Sequence, residues 1–167
     1  MLASLGAGEG RRAGLRPRLR ATRLIFYFDT SALVKLVVVE DGSEVAAELW
    51  GSTYPAASSI LAYPEGRAAL AAARRLDRLK ADEHRKALAD FEELYADLAT
   101  IGVDQELAVR AGEHAEDLGL RGYDSVHLAT ALELGDDEVV VVTWDRDLAL
   151  AAERVGLGVA GLEGEPS

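Results

Sequence analysis

Two uninterrupted apolar runs, each leading into an aspartate, constrain the fold of this chain more than any other feature. Residues 24–28 (LIFYF) directly precede Asp29, and residues 139–142 (VVVV) lie just before Asp145. Short apolar runs without polar alternation are typical of parallel strands that are covered on both faces. A helical pattern follows each run, so the sequence predicts strand–helix units around a parallel sheet.

The rest of the chain alternates in the same way between strand-like and helical segments. Residues 41–43 (DGS) break one helical pattern and Gly119 ends another. Right-handed crossovers then predict an α/β protein, a three-layer α/β/α sandwich with a central parallel sheet of four to five strands. The predicted strands are 24–28, 53–57, 100–103, 139–142 and a weak one at 158–160, and the predicted helices are 31–39, 44–50, 59–80, 82–98, 105–118, 124–134 and 146–155.

Charge divides the chain into a basic beginning and an acidic body. Residues 1–23 hold six arginines and one acidic residue, whereas the whole chain has a net charge of −11. We expect residues 1–23 to be a disordered basic extension or the product of a start codon assigned too early. Residues 24–162 should then form one globular domain and residues 163–167 a C-terminal tail. An acidic body disfavours a broad nucleic-acid-binding surface and favours a partner with a basic segment.

Missing residue types and motifs exclude several classes of function. The chain has no cysteine, which excludes disulfides and thiolate metal sites, and no histidine pair has zinc-ligand spacing. The GxGxxG, GxxxxGK[ST] and GxSxG patterns of nucleotide-binding and acyl-transfer proteins are absent. No apolar run approaches the roughly 20 residues of a membrane span, and residues 1–23 lack a secretory apolar stretch, so a cytoplasmic location is expected.

Acidic residues stand where predicted strands give way to helices. Asp29 and Asp145 follow the two apolar runs, Asp124 opens the helical segment SVHLATAL, and Glu65 lies on another helical segment. The carboxyl ends of parallel strands form one crevice at which ligands bind. Carboxylates gathered there would repel one another unless a cation neutralised them, so the pattern indicates a divalent metal site.

Each acid also has a purely structural interpretation. The three aspartates are each placed to cap a helix N-terminus, an interaction worth about 1 kcal/mol. Glu65 falls inside its predicted helix, where it would face solvent, and Pro64 before it predicts a kink. His127 stands three residues after Asp124, as either a core histidine or a hydrogen-bond partner of that acid. On sequence alone these alternatives stay open.

Four short segments surround the four acids in order along the chain. They read FDTSALVKL at 28–36, SSILAYPE at 58–65, YDSVHLATAL at 123–132 and VTWDRDL at 142–148. Together they closely resemble the motifs of PIN-domain ribonucleases, specifically the VapC-type toxins of toxin–antitoxin pairs. The resemblance covers residues 24–160, and the chain departs from it in the N-terminal extension and in Pro64 and Gly66, which flank the second acid.

This resemblance implies a metal-dependent endoribonuclease that acts as a toxin. Mg²⁺, or Mn²⁺ in its place, would be held by Asp29, Asp124 and Asp145. Glu65 would position or deprotonate the attacking water, so all four acids are predicted catalytic residues. The side chains predicted to support this set are Ser31, Thr143 and Asp147, and those predicted to contact RNA are Arg67 and Arg74.

The resemblance also implies three partners. They are an RNA substrate, a cognate antitoxin whose basic C-terminal segment covers the acidic site, and a second copy of the chain in a homodimer. Residues 33–39 of the first helix contain more apolar surface than one core stripe requires, which is consistent with a protein partner. No membrane partner is expected.

Two other classes of function stay open on the sequence. A catalytically inactive PIN-like protein-interaction module would keep the fold without the chemistry, although all four acids are retained. A phosphoryl-handling α/β domain of the haloacid dehalogenase type needs a second Asp two residues after its nucleophile, and this chain has Ser31 in that place.

Overall fold

A computed structural model describes residues 23–135 and 138–162 of the protein. The predicted extension, as far as residue 22, and the predicted tail lie outside the described residues. Within the described residues, none of the helices has the length and apolar character of a membrane span. In chain order the elements are β1 (Leu24–Phe28), α1 (Thr30–Lys35), α2 (Ser43–Trp50), β2 (Ala56–Ser59), α3 (Ala62–Arg75), α4 (Ala81–Ala96), β3 (Ala99–Ile101), α5 (Gln105–Leu118), α6 (Gly122–Leu132), β4 (Glu138–Thr143), α7 (Arg146–Arg154) and β5 (Gly158–Gly161).

The five strands form one parallel sheet in the order β3-β2-β1-β4-β5. β1 pairs with β4 from Leu24 opposite Glu138 to Phe28 opposite Val142. The chain first builds outward from β1 to β3 and then returns to build β4 and β5 on the other side of β1. The strand order therefore reverses between β1 and β4, and such a switch point leaves a crevice at the carboxyl ends of these two strands.

Helices cover both faces of the sheet, because successive side chains of a strand point to opposite sides. Phe28 lies in one buried cluster with Leu33 and Phe91, whereas Tyr27 lies in a second cluster with Leu128. Burying each of these large side chains contributes about 1.5–3 kcal/mol. The predicted α/β/α sandwich is confirmed, with five strands in its sheet.

The segment around Glu65 differs most from its prediction. β2 runs two residues further than predicted and α3 begins at Ala62, so Pro64 and Glu65 lie in the first turn of the helix. Ser58 is a buried strand residue whose Oγ donates to the Phe28 carbonyl at 2.6 Å. The predicted kink at Pro64 is wrong, because first-turn N–H groups have no acceptor within the helix and proline removes no helical bond there.

Two helices end earlier than their patterns predict. α1 stops at Lys35, and Val39 beyond it is 98% exposed. α3 stops at Arg75, because Asp77 adopts a φ of 54°, in the left-handed region through which a right-handed helix cannot continue. Apolar residues beyond both ends, Val38, Val39 and Leu79, line one cleft together with Trp144.

Candidate active site

Asp29 directly follows β1 at the switch point and is buried. It is the N-cap residue of α1, and its Oδ1 accepts from the Ala32 amide at 2.9 Å and from Ser31 Oγ at 2.7 Å. Thr143 Oγ1 donates to Oδ2 at 2.7 Å. Burial raises the pKa of Asp29 above its ordinary value, although the nearby His127 charge and these hydrogen bonds oppose the rise. A buried carboxylate of this kind would be stabilised by an added cation.

Two hydroxyl groups join the end of β4 to Asp29. Thr143 Oγ1 also accepts from the Asp145 amide at 2.9 Å, and Ser31 Oγ accepts from the Trp144 amide at 2.9 Å. Asp145 in turn caps α7 by accepting from the Leu148 amide at 3.0 Å. Ser31 and Thr143 thus lie beside Asp29, and one hydrogen-bonded network sets the positions of Asp29 and Asp145 relative to each other.

Asp124 and Asp145 share one guanidinium group. Arg121 donates from Nε to Asp124 at 2.7 Å and from Nη2 to Asp145 at 2.5 Å. Arg121 rather than Asp124 is the N-cap residue of α6, so the capping interpretation is wrong for Asp124, which lies in the first turn. Burial raises the pKa of Asp124, the Arg121 hydrogen bond opposes this, and the Asp145 charge adds to the rise. Asp147 is exposed in the first turn of α7 and adds to the negative charge around Arg121.

Glu65 enters the site from the first turn of α3 and is held by two polar side chains. Its Oε2 accepts from Thr30 Oγ1 at 2.7 Å and from His127 Nε2 at 2.7 Å. Only 22% of its side chain is exposed, so the solvent-facing interpretation is wrong. Burial raises the pKa of Glu65, but the hydrogen bonds from His127 and Thr30 and the His127 charge outweigh it, and the pKa lies below its ordinary value. Glu65 is therefore ionised at neutral pH.

His127 connects Glu65 to the core beneath the sheet. Its ring is buried, and Nδ1 lies 2.8 Å from the Tyr27 hydroxyl. Because an ionised carboxylate only accepts hydrogen bonds, the bond to Glu65 assigns a proton to Nε2, and Nδ1 shares its hydrogen bond with the Tyr27 hydroxyl. His127 is thus a core histidine whose polar partner is Glu65 rather than Asp124. It lies on the inner face of α6, whereas Asp124 stands at the start of that helix beside the β4–α7 loop.

The structure does not bring the two predicted RNA-binding arginines to the acids. Arg67 pairs with Glu92 on α4, and Arg74 lies 3.5 Å from Asp77. Arg67 is two residues after Glu65, which places it about 200° further around α3. RNA contact by Arg67 and Arg74 stays a prediction.

Two important contacts of the site escape sequence reasoning. Arg121 precedes Asp124 by three residues, a spacing at which helical side chains meet, and this is the signal that could have identified it. The bonds of His127 to Tyr27 and Glu65 span 100 and 62 residues of sequence. No local pattern signals contacts of that kind, because they depend on how α3 and α6 pack against the sheet.

The donor atoms of the site suit a hard divalent cation. Within the described residues, no group of three or more His, Asp or Glu side chains is close enough to hold a metal ion. The Arg121 guanidinium, a cation, bonds to both Asp124 and Asp145, and Thr143 links Asp145 to Asp29. Mg²⁺ needs only one or two carboxylates and keeps several waters. The three aspartates therefore fit a magnesium ion if the Arg121 guanidinium moves away from Asp124 and Asp145.

A parallel α/β sandwich with acids at its switch point defines the class to which this protein belongs. The PIN domain family model matches residues 26–154, and the chain belongs to the PIN-domain family. It is 44% identical over 142 residues to Ribonuclease VapC45 of Mycobacterium tuberculosis, covering 85% of this chain and 99% of that protein.

Solved structures show the same fold at lower sequence identity. PAE2754 from Pyrobaculum aerophilum is similar with a TM-score of 0.60 and 22% identity, over 82% of this chain and 91% of that one. A toxin–antitoxin complex from Klebsiella pneumoniae contains a chain similar with a TM-score of 0.51 and 22% identity, over 80% of this chain and 94% of that one.

Replacing Thr143 by Val should weaken both stability and activity. Valine fills the same volume but leaves the Asp145 amide without its partner, and Asp29 Oδ2 keeps only the longer bond from Ser31 Oγ at 3.0 Å. We expect this to lower the free energy of unfolding by about 1–3 kcal/mol. On the prediction that Asp29 holds a metal ion, loss of a group that orients this carboxylate should lower RNA cleavage by about 10–100-fold. Urea denaturation and initial cleavage rates measure the two effects.

Thr130→Val is the matched control for Thr143→Val. Thr130 is equally buried, but its hydroxyl donates to the Val126 carbonyl within α6 at 2.6 Å. That carbonyl also accepts its ordinary helical hydrogen bond, so the control should lose less stability and cleave at the parent rate. Equal losses in the two variants would contradict the supporting role of Thr143.

Proposed function

We propose that this protein is a metal-dependent endoribonuclease and the toxin of a toxin–antitoxin pair. The observation that carries the proposal is the placement of four acids at the β1/β4 switch point. Hydrogen bonds through Thr143 and Arg121 link Asp29, Asp145 and Asp124, and Glu65 bonds to Thr30, the residue after Asp29. A PIN domain that is 44% identical to a protein named Ribonuclease VapC45 supports RNA as the substrate.

Asp29, Asp124 and Asp145 are the residues that would hold Mg²⁺ or Mn²⁺. Such an ion, when bound, lowers the pKa of a coordinated water and offsets charge on the scissile phosphate. The raised pKa values of Asp29 and Asp124 support this assignment, because buried and mutually repelling carboxylates gain most from a neighbouring cation.

Glu65 is the residue that would accept a proton from the attacking water. Its pKa lies below the ordinary value, so the carboxylate is ready to accept at neutral pH, although it is a weaker base than a carboxylate with a raised pKa. His127 and Thr30 both bond to Oε2. Because both bonds are on Oε2, Oε1 is the oxygen that would accept the proton, and His127, itself bonded to Tyr27, would hold the carboxylate in place.

The cognate antitoxin is the proposed protein partner. A cleft of about 410 Å³ beside the acids is lined by apolar side chains around the end of α1 and by Trp144, together with the charged residues Lys35, Glu40 and Arg78. An antitoxin segment with apolar residues for this cleft and basic residues for the acidic site would match both surfaces. A homodimer is also proposed, and light scattering coupled to gel filtration measures it directly.

The test of the proposed activity is cleavage of a panel of structured RNAs by the purified protein with Mg²⁺, with Mn²⁺ and with excess EDTA. Internal cuts that need either ion are expected. Cleavage that EDTA leaves unchanged would contradict the metal dependence. RNA binding without any cleavage would favour the alternative, a catalytically inactive PIN-like module. Arg121 supports that alternative because it bonds to two of the carboxylates that would hold the metal ion.

A further inference from the structure

Arg121 holds the position between two of the proposed metal-binding carboxylates. Its Nε bonds to Asp124 at 2.7 Å and its Nη2 to Asp145 at 2.5 Å, so one planar group joins the third acidic segment to the fourth. A guanidinium donates in this forked way to paired oxygen acceptors and stays charged at every physiological pH.

The two acids need a cation between them. Their side chains are only 14% and 23% exposed, and two carboxylates close enough to bond to one guanidinium repel each other. In the metal-free protein the Arg121 charge offsets that repulsion. The guanidinium and a divalent ion would compete for the same carboxylate oxygens of Asp124 and Asp145.

Arg121 can leave this position more easily than the acids can. Its side chain is 70% exposed, and as the N-cap residue it has an extended backbone with φ −68° and ψ 155°, outside the helix. Asp145, in contrast, is held by two hydrogen bonds: its Oδ1 accepts from the Leu148 amide, and its own amide donates to Thr143 Oγ1. Displacement of Arg121 therefore leaves neither carboxylate without a cation, because the metal ion would bind the same oxygens.

We propose that Arg121 is an internal counter-ion that a divalent metal displaces, after which its guanidinium binds a phosphate of the RNA. The inference rests on the proposed nuclease function and adds two roles to it. Arg121 lowers the metal affinity of the empty site, and it positions the substrate once the ion is bound. A displaced guanidinium at the rim of an acidic site matches a phosphate group, to which it can donate two parallel hydrogen bonds.

The first test is Mn²⁺ binding without RNA, measured by isothermal titration calorimetry on the parent, Arg121→Ala and Arg121→Gln. Removing the competing charge should tighten Mn²⁺ binding by about fivefold or more in both variants. The reason is that Arg121 forms two partly exposed ion pairs, and each can change a binding constant by up to about fivefold. Arg121→Gln keeps a polar side chain and guards against an effect of misfolding. Both variants should also show a larger Mn²⁺-induced rise in melting temperature.

Arg110→Ala is the matched control. Arg110 also bridges two acids, Glu106 and Glu133, but away from the four-acid site. Its replacement should leave the Mn²⁺ affinity at the parent value. If the parent binds Mn²⁺ and the Arg121 variants bind it no more tightly, the inference is overturned while the proposed function stands. If neither the parent nor the variants bind Mn²⁺, both are overturned.

The second test separates metal binding from RNA binding. A non-cleavable RNA with a modified backbone is titrated against each protein at Mn²⁺ concentrations that saturate it. Arg121→Ala should bind this RNA several-fold more weakly than the parent and Arg110→Ala, with a smaller salt dependence, because one phosphate contact is lost. Unchanged RNA affinity and salt dependence in Arg121→Ala would overturn the positioning role.

Discussion

Asp29→Asn is expected to lower RNA cleavage by at least about 100-fold, since even groups that only orient a metal ligand account for about 10–100-fold. Asparagine keeps an acceptor for the Ala32 amide, so the cap of α1 is retained, but it removes the negative charge that would hold the ion. Initial rates with saturating Mg²⁺ measure the loss. A variant that cleaved RNA at the parent rate would contradict the proposed site.

In the metal-free protein, the same substitution should cost less stability at pH 7 than at pH 4. The folded-state pKa of Asp29 is raised, chiefly by burial. Such a group contributes stability that is fully present below its unfolded pKa, about 3.9, and is lost as the pH rises through the folded value. Removing the charge therefore removes a cost at pH 7, and urea denaturation in EDTA at pH 4 and pH 7 measures the difference.

Asp104→Asn is the matched control for Asp29→Asn. Asp104 is the N-cap residue of α5 and accepts from the Leu107 amide at 2.8 Å, but it is exposed and follows β3, which is separated from β1 by β2. Its replacement should leave cleavage at the parent rate.

Glu65→Gln should destabilise the protein at pH 7, with the opposite pH dependence to Asp29→Asn, because the pKa of Glu65 is lowered in the folded protein. A lowered carboxyl pKa contributes stability at pH values above the ordinary pKa, and this stability is lost as the pH falls through the folded value.

Gly66→Ala is expected to lower the free energy of unfolding by about 1–3 kcal/mol, although alanine is the better helix former. A Cβ added at Gly66 would lie 2.2 Å from Cζ of Phe91, whose ring is fully buried in the core. Because that ring is packed in the core, either the ring or α3 must shift to admit the methyl group. Because Glu65 is the preceding residue, cleavage should fall as well.

Gly112→Ala is the control for Gly66→Ala, since Gly112 is also helical but has no heavy atom within 4 Å of the added Cβ. It should raise stability by about 0.4–1 kcal/mol by restricting the unfolded chain. Phe91→Leu should recover part of the loss when combined with Gly66→Ala, and a double-mutant cycle measures the coupling. Equal stability of Gly66→Ala and the parent would contradict the packing argument.

Much of the fold was predictable because it depends on local patterns. The apolar runs of β1 and β4 identify central strands, and α5 was predicted to the residue at Gln105–Leu118. The aspartates after β1 and β4 follow from the same pattern, because parallel strands end at one edge. The PIN-domain resemblance rests on these segments, and the family is confirmed over residues 26–154.

The conformation around Glu65 was not predictable from local pattern. The Ala- and Leu-rich segment after Ser58 has a helical pattern, yet Ser58 is a strand residue because its hydroxyl bonds to the neighbouring strand β1. This shift of the helix start places Pro64 harmlessly in the first turn and turns Glu65 toward Thr30 and His127. The roles of these residues in catalysis stay predictions.

Sequence by itself determined which segments become strands and helices and which acids stand at strand ends, because burial pattern and chain polarity are written in neighbouring residues. Only the tertiary structure decided which side chains meet: Arg121 between two aspartates, His127 between Tyr27 and Glu65, and Phe91 against Gly66. Those contacts depend on the angles and distances at which separate elements pack, and the packing is set by the whole core at once.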